Sequence, residues 1–167
     1  TGSVYGIHLF DIQGSASLIG VVSNNMIVID ATAPLIARGI YDQTATGEFY
    51  NIYYNTVSVT GSVTGASNSE AYYWSIASTT NVKNNIFTNS RSGGTGKHYA
   101  IRFNTTLANV TSDYNDIFNS GGTANVFGND GTADRTTIAL WRTNTGKDAR
   151  SEEHTSELQS RVDISYA

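Results

Sequence analysis

The chain has 167 residues, a formal net charge of −4, 14% charged residues, 16 Gly, one Pro and no Cys. This length suits one domain, and the lack of cysteine excludes a disulfide scaffold and a Cys-based zinc site. Sparse charge with abundant Asn, Thr, Ser and Gly argues for strands and turns rather than a helical domain.

Taken in order, residues 1–30 are expected to form a first coil of strands. It enters mid-strand at Ser3-Val4-Tyr5, as a piece cut from a longer chain would. Residues 31–37, which hold the only proline, read as a connecting turn, and residues 38–60 as a second coil. A Gly/Ser/Thr loop over 61–69 leads to a third coil over 70–90, and a flexible loop over 91–97 to a fourth over 98–120. Val126-Phe127-Gly128 reads as the opening strand of a fifth. Residues 136–144 predict a short helix, capped by Thr136 or Thr137 and packing through Ile138 and Trp141. No apolar run approaches the length of a membrane span, and no signal segment opens the chain.

The coils share a repeat. Ser23-Asn24-Asn25-Met26-Ile27, Tyr53-Tyr54-Asn55-Thr56-Val57, Asn84-Asn85-Ile86-Phe87 and Asp113-Tyr114-Asn115-Asp116-Ile117 set Asn25, Asn55, Asn85 and Asn115 at intervals of 30 residues. A fixed period of this length is the mark of a stacked repeat architecture. Each asparagine is expected at a sharp bend between two strands, because Asn tolerates positive φ. Stacked amides would also bond to one another as a structural ladder. A second strand family precedes each bend, around Gly6, Gly39, Ala71 and Ala100. Period-two alternation places Ile7, Leu9, Ile40, Tyr72, Trp74, Ile101 and Phe103 inside. Three short strands per turn, stacked in parallel, predict an all-β right-handed parallel β-helix of about four coils with a short C-terminal helix.

Four stretches carry a resemblance: residues 81–89, Gly94-Thr95-Gly96-Lys97-His98-Tyr99-Ala100-Ile101, Thr111-Ser112-Asp113-Tyr114-Asn115-Asp116, and residues 137–149 with Trp141. Through them residues 1–149 resemble a partial right-handed parallel β-helix domain of the pectin-lyase-like superfamily. The likeness is to long secreted or surface proteins of Gram-negative bacteria that carry a type IX secretion sorting domain. It implies an extracellular or outer-membrane-surface location, with the chain monomeric within a longer protein. Residues 150–160 resemble the reading-frame translation of a common high-throughput sequencing adapter. Ile164-Ser165-Tyr166-Ala167 resembles its continuation, with Arg161-Val162-Asp163 where a sample index would sit. Residues 150–167 are therefore expected to be a non-native tail that does not continue the solenoid.

Enzymes of this superfamily gather carboxylates, and in the lyases an arginine base, on one sheet. Here Asp113 and Asp116 flank the last bend, Asp130 and Asp134 lie in a loop, and Asp11 is alone. No two acidic residues are expected to share a row on adjacent coils, whereas glycoside hydrolysis needs two carboxylates about 5–9.5 Å apart. Asp113 and Asp116 are expected to satisfy turn amides, and His98 to be an ordinary surface residue. Residues 93–97 have neither the spacing nor the following helix of a phosphate loop. No catalytic residue, metal or cofactor is expected.

One row stands out. In the first strand family His8, Tyr41, Tyr73 and Arg102 occupy the outward position, so coils about 4.7–4.9 Å apart would align them as an exposed, collinear stripe. Aromatic faces and a guanidinium in a row can stack on sugar rings and bind hydroxyls or carboxylates. The expected function is a non-catalytic extracellular or cell-surface scaffold that binds a polysaccharide or cell-surface glycan, with no nucleic-acid partner. The alternative is a fragment of a polysaccharide lyase or glycoside hydrolase whose catalytic coils lie outside this chain.

Overall fold

A computed structural model describes residues 2–120, 122 and 124–153. The first coil is β1 (Ser3–Phe10), β2 (Gly20–Ser23) and β3 (Met26–Asp30). The second is β4 (Ile36–Gln43), β5 (Phe49–Tyr53) and β6 (Thr56–Thr60). The third is β7 (Ser69–Trp74), β8 (Thr79–Lys83) and β9 (Ile86–Asn89). The fourth is β10 (His98–Phe103), β11 (Val110–Asp113) and β12 (Asp116–Asn119). After them come β13 (Asn125–Asp130), β14 (Asp134–Arg135), α1 (Ile138–Thr145) and β15 (Glu152–Glu153). Each strand pairs in parallel with its counterpart one coil away, except the antiparallel β13–β14 pair. The result is a parallel β-solenoid of about four turns, as the 30-residue period predicts.

The sheets form because their inward positions are β-branched, aliphatic or aromatic, the side chains that pack best on a pleated surface. Leu9, Ile40, Tyr72, Trp74, Ile101 and Phe103 from the first sheet meet Ile52 and Val82 from the second and Val57, Phe87 and Ile117 from the third. Alternation in the first sheet is not strict. Ala71 and Tyr72 are both buried in the core, as are Ala100 and Ile101. A Cβ at Gly39 would meet Val57 Cγ1 at 2.1 Å, so this inward position takes only the smallest side chains. With two consecutive residues turned inward, Arg38 and Tyr41 both end on the outer face.

The asparagine corners differ from expectation in one respect. Positive φ falls one residue earlier, on Asn24, Tyr54, Asn84 and Tyr114, at 56–58°. The asparagine that follows does different work. Asn25 Nδ2 donates to Asn55 Oδ1 at 2.9 Å, Asn55 Nδ2 to Asn85 Oδ1 at 3.0 Å, and Asn85 Nδ2 to Asn115 Oδ1 at 3.0 Å. Each acceptor also takes the backbone N–H of the preceding asparagine. The Asn55 and Asn85 amides further donate to Tyr53 O and Lys83 O, just before the left-handed residue. The amide thus clamps the bend from inside while its neighbour supplies the dihedral.

The loop over residues 91–97, expected to be flexible, begins with a fully buried arginine. Arg91 donates to the carbonyls of Ala31 (2.9 Å), Ala33 (2.8 Å) and Leu35 (2.8 Å), which lie in the connector after the first coil. His98 is also fully buried rather than on the surface. Its Nε2 lies 3.1 Å from Gly93 O, which can only accept, so Nε2 carries the proton and Nδ1 accepts from Ser69 Oγ at 2.8 Å.

At the far end α1 is capped by Thr137, whose Oγ1 accepts from Leu140 N, and closed by Gly146 at φ 65°. Its Trp141 is fully buried against Phe103 and Phe127 and donates from Nε1 to Asp148 Oδ2 at 2.8 Å. The solenoid then runs past the expected boundary at residue 149. Ser151 Oγ accepts from Asn115 N at 2.8 Å, taking the place of the next ladder amide, and β15 pairs with β12. Arg150 is held by Asp113, with Nε–Oδ2 at 2.9 Å. Residues 150–153 continue the stack because their hydroxyl and backbone groups meet the groups that a further coil would meet. The rest of the expected tail, with Leu158, Ile164 and Tyr166, lies outside the described residues. Among the described residues no helix is long and apolar enough to cross a membrane.

Candidate functional site

The outer face of the first sheet gathers the predicted row. Strand register pairs His8 with Tyr41, Tyr41 with Tyr73, and Tyr73 with Arg102. The His8 and Tyr41 rings stack at 4.6 Å and 5°, and the Tyr41 and Tyr73 rings at 5.3 Å and 8°. The Arg102 guanidinium carbon lies 4.9 Å from the Tyr73 ring centroid. The four residues form one column, in sequence order along the axis.

Their exposure differs from expectation. His8 is exposed and Arg102 half-buried, but Tyr41 is only 9% exposed and Tyr73 only 7%. Neither tyrosine belongs to the core cluster. They are covered from outside, because their ring faces lie against each other and against Arg38. The Arg38 guanidinium carbon sits 4.2 Å from the Tyr41 centroid and 4.5 Å from that of Tyr73. Ring faces already stacked along the axis cannot also stack on sugars. What this column offers a ligand is ring edges, hydroxyls and guanidinium N–H groups.

A second row, unread in the sequence, runs beside the first. Register aligns Tyr5, Arg38, Glu70 and Tyr99. Arg38 Nε donates to Glu70 Oε2 at 3.1 Å and Arg102 Nη1 to Glu70 Oε1 at 2.8 Å. Burial pushes the Glu70 carboxyl upward, and the two guanidiniums oppose that shift. Burial works against the Arg102 charge, but the Glu70 carboxylate, with Tyr73 and Tyr99, outweighs it and holds Arg102 above its ordinary value. The row ends at Tyr99, whose hydroxyl donates to Asp134 Oδ1 at 3.2 Å, while Lys97 pairs with Asp134 Oδ2. Strict alternation places Arg38 on the inward side, which is why this row escapes a period-two reading; its signal is the small residue at 39.

The acidic residues are mostly committed. Asp113 takes Tyr114 N at 3.0 Å, as expected of a turn aspartate, and also Arg150. Asp130 accepts from Thr132, Ala133 and Arg135; despite burial, these bonds hold its carboxyl down at about 2. Contrary to expectation one acidic pair does share a row, since Asp116 and Glu152 are register partners in β12 and β15. Among the described residues no three His, Asp or Glu side chains gather as a metal cage.

The fold defines the class of the protein, a parallel β-solenoid. Comparison with protein-family models, with curated proteins and with solved structures gave no match.

Proposed function

We propose that this chain is a non-catalytic scaffold of an extracellular or cell-surface protein, and that the outer face of its first sheet binds carbohydrate. The observation that carries this reading is the column of His8, Tyr41, Tyr73 and Arg102, flanked by Arg38 and continuous over four coils. A run of hydroxyl and guanidinium groups at coil spacing suits an extended polymer lying along the axis better than a small molecule in a pocket. The non-catalytic reading is supported by Glu70, whose two oxygens are each taken by a guanidinium, as in a structural counter-ion.

Binding to a panel of neutral and acidic polysaccharides tests the reading. Because the tyrosines are stacked and largely covered, the informative variant is the pair Tyr41→Phe and Tyr73→Phe. It keeps the stack and removes both hydroxyls. Binding should weaken while the thermal midpoint holds. Arg102→Ala should act mainly on uronate-containing glycans, where a guanidinium can hold a carboxylate by two bonds. Binding that survives all these substitutions would place the ligand elsewhere.

A further inference from the structure

The Arg38–Glu70–Arg102 cluster is one negative charge short. Two guanidiniums, with side chains 13% and 23% exposed, share a single carboxylate that is 0% exposed. The field of Glu70 also reaches the buried Arg91, whose hydrogen-bond partners are carbonyls. A poorly hydrated surplus cation is costly, and an anion beside it removes that cost. Such an excess stands out in a chain whose formal charge is −4.

Beside Arg38 the surface opens into a recess of about 320 Å³ lined by Ile36, Arg38, Ala66, Ser67 and Asn68. Glu70 is bonded through Arg38 Nε, so the end-on edge of the guanidinium, formed by the two Nη groups, is not the one that holds it. The Asn68 amide is oriented, because its Oδ1 accepts from Lys97 N at 2.8 Å and so Nδ2 is the half left to donate. Ser67, a hydroxyl-bearing residue, lines the same recess. A guanidinium, an amide NH2 and a hydroxyl around one open recess, with no acidic side chain in its lining, form a donor set for an oxyanion.

We propose that this recess binds a single oxyanion group, a sulfate, phosphate or carboxylate, held by Arg38 Nη, Asn68 Nδ2 and the Ser67 hydroxyl. The bound group completes the charge of the triad. The site adjoins the tyrosine column but does not depend on carbohydrate binding there, because the free inorganic anion satisfies the same donors.

The test is a titration of the intact chain with sodium sulfate, phosphate and acetate against chloride at constant ionic strength. It is followed by NMR on the Arg38 side-chain Nε–H and the Asn68 side-chain amide. Saturable shifts confined to Arg38, Ser67 and Asn68 are expected. A sulfated oligosaccharide and its desulfated counterpart then separate a glycan-borne group from a free ion. Asn68→Asp places a carboxylate where the anion would sit and still offers an oxygen to Lys97 N. It should abolish the sulfate response and raise the thermal midpoint, whereas Ser67→Ala should weaken sulfate binding about tenfold at a cost of one hydrogen bond. Shifts spread over Lys97, Lys147 and other surface cations would overturn the proposal. So would a sulfate response unchanged in Asn68→Asp.

Discussion

At the scale of single residues, the corners divide their work between two positions. One residue adopts the left-handed dihedral and the next supplies the clamp. At the second and fourth corners the left-handed residue is a tyrosine, Tyr54 or Tyr114, where asparagine tolerates φ near 57° better. Tyr54 is exposed, so Tyr54→Asn should stabilise the chain by about 1 kcal/mol, or about 2–4 °C in Tm for a domain of this size. An unchanged or lower midpoint in thermal denaturation would count against strain at this corner. The clamp is less forgiving. Asn85→Leu removes the acceptor of the buried Asn55 N and the amide donations to Ile52 O and Lys83 O, and a buried group left unpaired costs about 1–3 kcal/mol. Asn68→Leu removes only a bond at an exposed loop and should cost far less. Equal midpoints for the two variants would sink the ladder as a stabilising device.

His98 makes a further test at this scale. Burial lowers its affinity for a proton, the bond to Gly93 O partly opposes that, and Arg91 adds to it. The unfolded chain therefore takes up the proton first as pH falls. Stability from the neutral imidazole is complete above the unfolded value of about 6.5 and is lost progressively below it. Thermal midpoints measured from pH 7.5 to 5 should fall more steeply for the native chain than for His98→Gln. Parallel slopes would show that other groups govern this window.

At the scale of elements, α1 closes one end of the core through Trp141 and Asp148. Asp148 Oδ1 also takes Asn115 Nδ2 at 3.1 Å and Ser112 Oγ at 2.9 Å, so it ends the ladder while its other oxygen fixes the helix. Trp141→Ala removes a fully buried indole and should cost about 3–5 kcal/mol, more than an exposed change such as Leu140→Ala on the same helix. Urea denaturation of the two variants checks this. The elements were largely legible in the sequence, because a 30-residue asparagine period and alternating apolar positions fix both coil and sheet. The candidate face was half legible. His8, Tyr41, Tyr73 and Arg102 share the phase of the pattern, whereas Arg38 and Glu70 are out of phase with strict alternation. Only the doubled inward step at Gly39–Ile40 and Ala71–Tyr72 returns them to the same face. The burial of Arg91 and His98 was not legible, since it depends on carbonyls and hydroxyls from other coils, far away in sequence.

At the scale of the whole molecule, a stack of coils joined only to their neighbours would behave as a one-dimensional array, free to peel from either end. Arg91 does not follow that rule. It leaves the third coil and bonds the connector behind the first, 56–60 residues earlier, bypassing the coil between. In the language of linear arrays this is a second-neighbour coupling. It ties the loss of the first coil to the opening of the third, and it turns gradual fraying into a joint event. Arg91→Met should therefore do more than lower stability. Amide hydrogen exchange in β1–β3 should become fast and separate from exchange in β10–β12, and the urea transition should broaden. If all coils still exchange together, the cooperativity of this solenoid resides in nearest-neighbour stacking alone.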